Sequence, residues 1–449
     1  MYDRILYLDN FRGFKDTFIP LKEVNFLVGE NSTGKTSILL LMRILSKPLR
    51  RWLNFVDFDD EEINASISSF SDIAYDNAGK SSQFQVGFCA RELKGDDFVL
   101  VLLKFIDNKG APVIDEISVQ YRKEFFYCKI TNLMIQYEKR GLDDKDVLTG
   151  KSLKLSSDNM PESMISAFKE WVISRLSSPR DNLTTYKSER FSDQDDATDD
   201  FKRINLPLEI EDVMDSLYRI TLNLHFGERL WWISPIRAKP KRVYEHMPTV
   251  NFTSDGAHTP YLLAKHIDNK GLFENIKKFG RLSGMYDSVK VKRFGNDDYA
   301  PFEIDITLDG KDIKITNVGY GVSQVLPIIT DIYFLGGKRI VWFAIQQPEI
   351  HLHPKAQSAF GEFLFDVNTQ FNNKFLVETH SNYIVDRYRI CQSKSKKKSS
   401  AQVLFFEKTP SGENKVHIID INDQGQYPED QPDSFTRFFI EEGLTLLEI

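Results

Sequence analysis

The sequence predicts an α/β fold with a parallel-sheet core, an N-terminal β-rich lobe and a helical insertion. One observation is a buried, apolar strand over Val24–Val28 that runs into a glycine-rich loop and an apolar helix over Thr36–Leu45. A second is the stretch 83–132, where apolar and polar positions alternate between turn signals, which predicts a β-meander. A third is the region after residue 338, where strand-like and helix-like segments alternate and predict parallel strand pairing.

These patterns divide the chain into four predicted regions. The N-terminal lobe covers 1–135 and contains the glycine-rich loop and the meander. Residues 136–230 are predicted to form the helical insertion, because MISAFKEWVISRL and EDVMDSLYRITLNL have helical periodicity. Residues 231–400 form a C-terminal lobe, in which YLLAKHI and ENIKKFGRL are predicted helices. The last part, 401–449, is predicted to be a short C-terminal extension.

The composition limits the class of protein. The formal net charge of −7 argues against a surface that coats nucleic acid broadly, while a local basic groove is compatible with it. The three cysteines lie far apart and suit a reducing compartment. No apolar run approaches the roughly 20 residues that span a bilayer, and the N-terminus does not have the pattern of a signal peptide. We therefore expect a cytoplasmic protein without a membrane partner.

The glycine-rich loop GENSTGKT matches the phosphate-binding pattern G-x-x-x-x-G-K-[ST] between a strand and a helix. Gly29 and Gly34 permit backbone angles that turn amide groups toward phosphate oxygens. Lys35 neutralises the β- and γ-phosphates, Thr36 offers a hydroxyl to Mg²⁺, and the helix N-terminus favours the anion. The predicted cofactors are therefore ATP and Mg²⁺. The predicted phosphate-binding residues are Gly29, Asn31, Ser32, Thr33, Gly34, Lys35, Thr36 and Ser37.

A second glycine-containing loop, NVGYGVSQ at 317–324, precedes the apolar helical segment VLPIITDIYFL. It presents backbone amides at the positive end of a helix, which suits an anion. Taken alone this motif is weak, since a turn before a core helix would have the same sequence. Its place just before the strand RIVWFAI and the segment QQPEIHLHP strengthens it.

The ordered set NFRGF, GENSTGKTS, NVGYGVSQVLP, QQPEIHLHP and ETHS resembles the ATPase heads of the SMC and overcoming-lysogenization-defect classes of ABC ATPase. It is most similar to a bacterial family that has a short C-terminal extension. The resemblance covers both ends of the chain well and 135–230 poorly. It implies a P-loop NTPase fold of the ABC-ATPase head type.

The resemblance also implies roles for individual residues. Arg12 would touch the nucleotide. Gly319, Gly321 and Ser323 would form the signature loop that caps the γ-phosphate of ATP bound to a second protomer. His380, in ETHS, would be the switch histidine that contacts the γ-phosphate.

The sequence departs from the wider class at the strand RIVWFAI, which there ends in an Asp-Glu pair. Gln346 and Gln347 occupy these Walker B positions; the family that is most similar often has Glu-Gln, so that only Gln346 is unusual. An amide cannot accept a proton as a base, and it binds Mg²⁺ more weakly than a carboxylate. Three explanations compete: Glu349 supplies the carboxylate, hydrolysis is slow or disabled, or Gln346 is an engineered trap. The predicted catalytic residues are Glu349, Gln347, Gln346 and His380, and the predicted metal ligands are Thr36 and Gln346.

The run LWWISPIRAKPKRVY leaves two interpretations open. Its aromatic and basic residues could contact nucleic acid through Arg237, Lys239, Lys241 and Arg242. Alternatively, it is a strand and loop with basic residues on the solvent side.

The resemblance implies a nucleotide-gated switch or scaffold that controls a partner effector in bacterial anti-phage defence. ATPases of the PARIS and Septu systems act with a separately encoded effector, so a nuclease or toxin is the expected partner and DNA or a phage protein the expected trigger. ATP sandwiched between heads would hold a homodimer or a higher homo-oligomer. The alternative is a DNA-end or DNA-structure processing ATPase of the SMC or recombination type that acts directly on DNA.

Overall fold

The computed structural model describes most of the chain. The described residues are 4–45, 69–74, 83–91, 97–131, 134–143, 147, 160–177, 183–187, 230–245, 247, 250–295, 297, 299–336 and 342–438. They cluster into two compact units. The first takes its residues from 1–22, 31–229 and 406–416, and the second from 23–30, 230–405 and 417–449.

The described residues form strands and helices of mixed order along the chain. The strands are β1 (Arg4–Asp9), β2 (Thr17–Leu21), β3 (Val24–Gly29), β4 (Gln83–Arg91), β5 (Phe98–Asn108), β6 (Ala111–Tyr121), β7 (Glu124–Thr131), β8 (Met134–Gly141), β9 (Thr184–Lys187), β10 (Leu230–Ile233), β11 (Ser288–Arg293), β12 (Phe302–Leu308), β13 (Lys311–Lys314), β14 (Trp342–Gln346), β15 (Lys374–Glu378), β16 (Ala401–Lys408) and β17 (Asn414–Ile421). The helices are α1 (Lys35–Leu45), α2 (Met160–Ser177), α3 (Thr259–Lys265), α4 (Lys270–Ser283), α5 (Tyr320–Leu335), α6 (Pro354–Phe371) and α7 (Asn382–Lys394).

The first unit is built on an eight-stranded antiparallel sheet in the order β2-β1-β4-β5-β6-β7-β8-β9. Alternate residues of its strands, such as Leu100 and Leu102, form one apolar face. Helix α2 covers that face with Phe168 and Trp171, and the Trp171 indole N–H donates to Gln120 Oε1 at 2.7 Å. Burial of this face therefore holds α2 on the sheet.

The meander predicted over 83–132 is confirmed as β4 to β7, and β8 and β9 extend it. The predicted helix MISAFKEWVISRL is confirmed within α2. The predicted helix EDVMDSLYRITLNL lies outside the described residues. The division into the regions 1–135, 136–230, 231–400 and 401–449 stays a prediction.

The second unit contains the six-stranded sheet β10-β14-β15-β3-β16-β17, to which the first unit contributes the ends of β16 and β17. The pairs β10–β14, β14–β15 and β15–β3 are parallel, as the alternation of strands and helices predicts. The inner strands β3, β14 and β15 are buried throughout and mostly apolar, and helices such as α5, α6 and α7 pack in the same core, so the sheet is buried. The predicted α/β fold with a parallel-sheet core is confirmed.

The register of the parallel strands sets which residues share an edge of this sheet. Gln346 at the end of β14 pairs with Glu378 at the end of β15, and Glu378 pairs with Leu27 of β3. The carboxyl ends of the three strands therefore lie side by side. In open α/β sheets this edge is where ligands bind, because the loops that follow the strands collect there. Among the described helices, none is both long and apolar enough to cross a bilayer.

Candidate functional site

The glycine-rich loop joins the end of β3 at Gly29 to the start of α1 at Lys35. Three of its residues have positive φ: Gly29 at 143°, Ser32 at 63° and Gly34 at 95°. Glycine adopts such angles without the steric cost that a side chain brings. The pattern of glycines thus matches the backbone that the loop needs.

Gly34 is also required for space. A Cβ atom at this position would lie 2.5 Å from Phe14 Cζ and 2.8 Å from Asn414 Nδ2. Asn414 Nδ2 in turn donates to the carbonyl oxygen of Arg12 at 2.8 Å, and the Asn414 amide donates to Gly13 O at 2.7 Å. The loop is therefore backed by Phe14 and Asn414. The sequence analysis quoted the motif that contains Phe14 but missed Asn414, for which no local pattern exists.

The side chains of the loop divide into exposed and buried ones. Lys35 is 4% exposed, and Thr33 and Ser37 are also buried. Thr36 is exposed, so its hydroxyl is accessible to a ligand, as are Asn31 and Ser32. The amides of Ser37 and Ile38 donate to Gly34 O, so α1 begins directly at the loop.

This donor set fits a phosphate chain with its metal ion. The first N–H groups of a helix lack intrahelical acceptors and point outward with the positive end of the dipole. Phe14 and Asn414 leave no room for a side chain at Gly34, so the backbone of the loop is uncovered at this position. When bound, Mg²⁺ would supply charge neutralisation at the phosphates, with Thr36 as its hydroxyl ligand.

Arg12 is held by a short segment of the first unit. Its amide donates to Ile73 O at 2.7 Å, and its Nε donates to Asp72 O at 3.2 Å. Burial lowers the pKa of Arg12, and the carboxylate of Asp72 opposes this. A nucleotide contact for Arg12 stays a prediction.

Gln346 is 7% exposed, at the carboxyl edge of the parallel sheet. Its Nε2 donates to Glu378 Oε2 at 3.3 Å, and its carbonyl oxygen accepts from Arg237 Nη2 at 2.9 Å. Glu378 is itself 5% exposed. The sequence analysis missed Glu378, although it is the acidic residue that ends the strand KFLVE in the quoted motif ETHS.

Gln347 follows with a left-handed backbone, φ 43°, and is half-buried. Its amide donates to the carbonyl oxygen of Glu378 at 2.8 Å. The chain therefore turns at Gln347, and the backbone hydrogen bond to Glu378 continues the pairing with β15 up to this residue. This turn places the next residues beside the loop that follows β15.

Glu349 bonds that neighbouring loop through both carboxylate oxygens. Oε1 accepts from the His380 amide at 2.7 Å, and Oε2 accepts from Thr379 Oγ1 at 2.8 Å. Burial raises the pKa of Glu349, while these hydrogen bonds and the charge of Arg237 act against the shift. Glu349 thus ties the 347–350 turn to the segment that contains His380. Helix α6 has its own cap, because His353 Nδ1 accepts from the Ala356 amide.

His380 is half-buried, and its ring centroid lies 6.5 Å from that of Phe438. Its amide is fixed by Glu349, so the position of the histidine depends on that carboxylate. The role of His380 as a γ-phosphate switch stays a prediction.

The predicted signature residues differ in exposure. Gly319 is exposed, and a Cβ atom there would meet nothing within 4 Å. Gly321 is buried, and its Cβ atom would lie 2.6 Å from the carbonyl oxygen of His351. Ser323 is buried and donates its hydroxyl to Tyr320 O at 2.7 Å. Gly319 and Tyr320 therefore lie on the surface of this loop, and Gly321 serves the close packing of α5.

Arg237 is not part of a solvent-facing basic surface, contrary to its proposed nucleic-acid contact. It is 2% exposed, and its Nη2 bonds the carbonyl oxygen of Gln346. Its Nε and Nη1 have no hydrogen-bond partner in the described part of the chain. Burial lowers its pKa to about 10, although the charge of Glu349 opposes the shift. Lys239, Lys241 and Arg242 of the same run are exposed.

No group of three or more metal-ligating side chains of the His, Cys, Asp and Glu types occurs among the described residues. An Mg²⁺ ion that binds a triphosphate needs only one or two protein ligands besides phosphate and water. Within the loop, the exposed Thr36 offers a hydroxyl to such an ion, and the role of Gln346 as a metal ligand stays a prediction.

The strand, phosphate loop and helix, together with the parallel sheet, define a P-loop ATPase. The family model described as an AAA ATPase domain matches residues 1–385, and the chain belongs to this family. No curated protein matches it.

Three solved structures of SMC heads are similar to the chain in fold. An SMC head bound to the C-terminal winged-helix domain of ScpA has 12% identity, covers 94% of this chain and 98% of its own, and has a TM-score of 0.45. The head with an extended coiled coil bound to the C-terminal domain of ScpA, derived from Pyrococcus furiosus, has 12% identity, coverages of 100% and 98%, and a TM-score of 0.44. The head from Thermotoga maritima has 11% identity, coverages of 94% and 100%, and a TM-score of 0.40.

Proposed function

We propose that this AAA ATPase-domain protein binds and hydrolyses ATP as a nucleotide-gated switch. The observation that carries the proposal is the phosphate loop, in which Gly34 is pinched against Phe14 and Asn414 and a buried Lys35 begins the helix. Lys35 is the first residue of helix α1, where the positive end of the helix dipole also favours a phosphate anion. The remaining predicted residues of the loop would bind phosphate through their amides.

The gate would be the surface formed by Gly319 and Tyr320 at the start of α5. An exposed helix N-terminus offers amides to the terminal phosphate of a nucleotide on a second copy. ATP bound to one protomer would then stabilise the pair, because a ligand shifts the equilibrium toward the state that binds it better. Glu349 bonds the segment that contains His380, which would couple the state of the nucleotide to this part of the chain.

The partner and the biological role rest on the motif resemblance. The closed pair would hold or release a separately encoded nuclease or toxin effector in anti-phage defence, with DNA or a phage protein as the trigger. A cytoplasmic location fits this role. Two of the similar SMC heads are bound to a C-terminal domain of ScpA, which is a partner of those proteins.

The nucleotide part of the proposal is tested by the affinity of the protein for ATP, measured by calorimetry with Mg²⁺. Lys35→Ala should weaken binding by roughly 30- to 150-fold, since a hydrogen bond to a charged group contributes about 2–3 kcal/mol. Lys15→Ala is the matched control, because Lys15 is an exposed lysine whose ion pair with Glu413 is weak at 3.7 Å. Equal affinities for the Lys35→Ala and wild-type proteins would refute a phosphate-binding role for this loop.

The alternative, an ATPase that processes DNA directly, is supported by the exposed Lys239, Lys241 and Arg242. Basic side chains of this kind bind phosphate backbones in a salt-dependent way. Duplex DNA that increases ATP turnover in the absence of any partner protein would favour this alternative over the switch.

A further inference from the structure

The second unit contains a cavity of about 260 Å³, formed by residues between 238 and 327. Leu263 of α3, Ile304 of β12 and Leu326 of α5 are buried apolar residues that line it. Its volume exceeds the roughly 150 Å³ of an apolar cavity that binds benzene. The cavity therefore has room for an aromatic ring or a short apolar chain with a polar group attached.

Two tyrosines that line the cavity carry hydroxyl groups that can bind a ligand. The rings of Tyr244 and Tyr261 lie edge to face, with 5.8 Å between their centroids. The Tyr244 oxygen accepts from the Lys241 amide at 2.9 Å, so its O–H group can donate to another acceptor. Tyr261 is half-buried, and within the described part of the chain its hydroxyl makes no hydrogen bond. Burial raises the pKa of Tyr244, and the nearby phenol of Tyr261 adds to the shift, so Tyr244 stays protonated near neutral pH.

His258 also lines the cavity, but both of its ring nitrogens have partners in the protein. Nδ1 accepts from the Thr253 amide at 3.1 Å, and Nε2 bonds Asp331 Oδ1 at 2.8 Å. Asp331 Oδ2 accepts in turn from the Trp231 indole N–H at 2.9 Å. This network holds His258 in place, so the histidine is a structural part of the wall rather than a group that binds a ligand.

The charge at the cavity is positive. Among its described lining residues, the charged ones are Lys239 and Lys241, which are both exposed, and no Asp or Glu occurs. Their ammonium groups favour an anion at the solvent-facing side of the cavity. The bond between the Lys241 amide and the Tyr244 hydroxyl places this lysine beside that tyrosine. A carboxylate carries one negative charge and accepts several hydrogen bonds, so it matches ammonium and phenol donors.

We propose that this cavity binds a small organic acid with an apolar ring or chain. The apolar part lies against the buried aliphatic residues of the wall. The carboxylate accepts from the hydroxyls of Tyr244 and Tyr261 and faces Lys241. Burial of the apolar part drives binding, while the donors select an acid over a neutral molecule of the same shape. Binding at this cavity needs no nucleotide, so it can be measured apart from ATP binding.

The test is an NMR titration with naphthylacetate and with its neutral counterpart naphthylacetamide, without nucleotide. The acid should bind with a dissociation constant of about 1 mM, as ligands of this size do, and the amide roughly fivefold more weakly. Tyr261→Phe keeps the ring and should weaken binding of the acid about tenfold, since it removes a hydrogen bond to a charged group. Tyr299→Phe is the matched control, because Tyr299 is an exposed tyrosine outside the cavity lining.

Lys241→Gln should weaken binding of the acid by roughly two- to fivefold, because an exposed ion pair contributes little. Its control is Lys270→Gln, which changes an exposed lysine on α4. The comparison of acid and amide uses the wild-type protein and does not depend on the folding of any variant. Three results would each overturn the proposal: no detectable binding of the acid to the wild-type protein, equal affinities for acid and amide, or a Tyr261→Phe protein that binds the acid as tightly as Tyr299→Phe does.

Discussion

Glu349 connects two loops of the site through hydrogen bonds, although burial disfavours its charged form. It is half-buried and accepts bonds from two residues of the neighbouring loop, with the charge of Arg237 nearby. Burial is the largest influence and raises its pKa above the ordinary value of 4.5. A raised pKa in the folded state means that folding favours the protonated carboxyl. This contribution to stability is therefore complete below about pH 4.5 and is lost as pH rises through the folded-state pKa.

Glu349→Gln removes this pH dependence and keeps one oxygen that accepts from the His380 amide. Relative to wild type, the urea midpoint of the variant should be more favourable at pH 8 than at pH 5. Urea unfolding at both pH values checks this, and the control is Glu274→Gln, an exposed carboxylate on α4. A difference between variant and wild type that is the same at both pH values, or that is less favourable to the variant at pH 8, would contradict the assignment.

At the residue scale, the sequence reveals motifs that depend on neighbours along the chain, but it does not reveal which side chains the fold buries. The glycines and Lys35 of the phosphate loop follow a local pattern. Arg237 was interpreted as a basic surface residue, because composition reveals charge but not that the fold places it at 2% exposure behind Gln346. Glu378 and Asn414 were missed because their partners lie 32 and 402 residues away in sequence.

At the scale of elements, the phosphate loop needs a glycine at Gly34 both for its positive φ and for lack of space. A comparison with Gly110 distinguishes the effect of φ from the effect of space. Gly34 and Gly110 have similar φ values, 95° and 92°, but a Cβ atom at Gly110 would meet nothing within 4 Å. Gly110→Ala should therefore cost only the strain of a left-handed alanine, about 1–2 kcal/mol. Gly34→Ala should add a collision with Phe14 and abolish measurable ATP binding.

Calorimetric ATP titration and thermal unfolding of both variants check this expectation. Gly110→Ala should bind ATP within about twofold of wild type, because its turn is remote from the loop in sequence and its strain is local. If Gly34→Ala bound ATP normally, the pinched position would have no role in the loop.

Elements with strong periodicity were predicted well, while short strands were missed. The strand β3, the helix α1 and the alternation that predicts parallel pairing all have clear apolar patterns. The extension of the meander by β8 and β9 was missed, since short strands such as TTYK have too few residues to show a period. The role of Gly321 in the signature loop stays a prediction, and the sequence analysis missed that its absent side chain lets α5 approach the backbone of His351.

For the whole molecule, the claim is that ATP brings two copies together through the surface of Gly319 and Tyr320. Gly319 has φ −54° and open space at its Cβ position, so Gly319→Arg should fold normally while it places a bulky cation on that surface. Ser393→Arg is the control, because it adds the same side chain at another exposed position, on α7.

The most direct test is the mass of the protein in solution with and without ATP and Mg²⁺. We expect the wild-type protein and Ser393→Arg to shift to a dimer or larger assembly with ATP, and Lys35→Ala and Gly319→Arg to keep their nucleotide-free mass. A wild-type mass that ATP leaves unchanged, or an ATP-dependent assembly that Gly319→Arg forms as readily as wild type, would contradict the account.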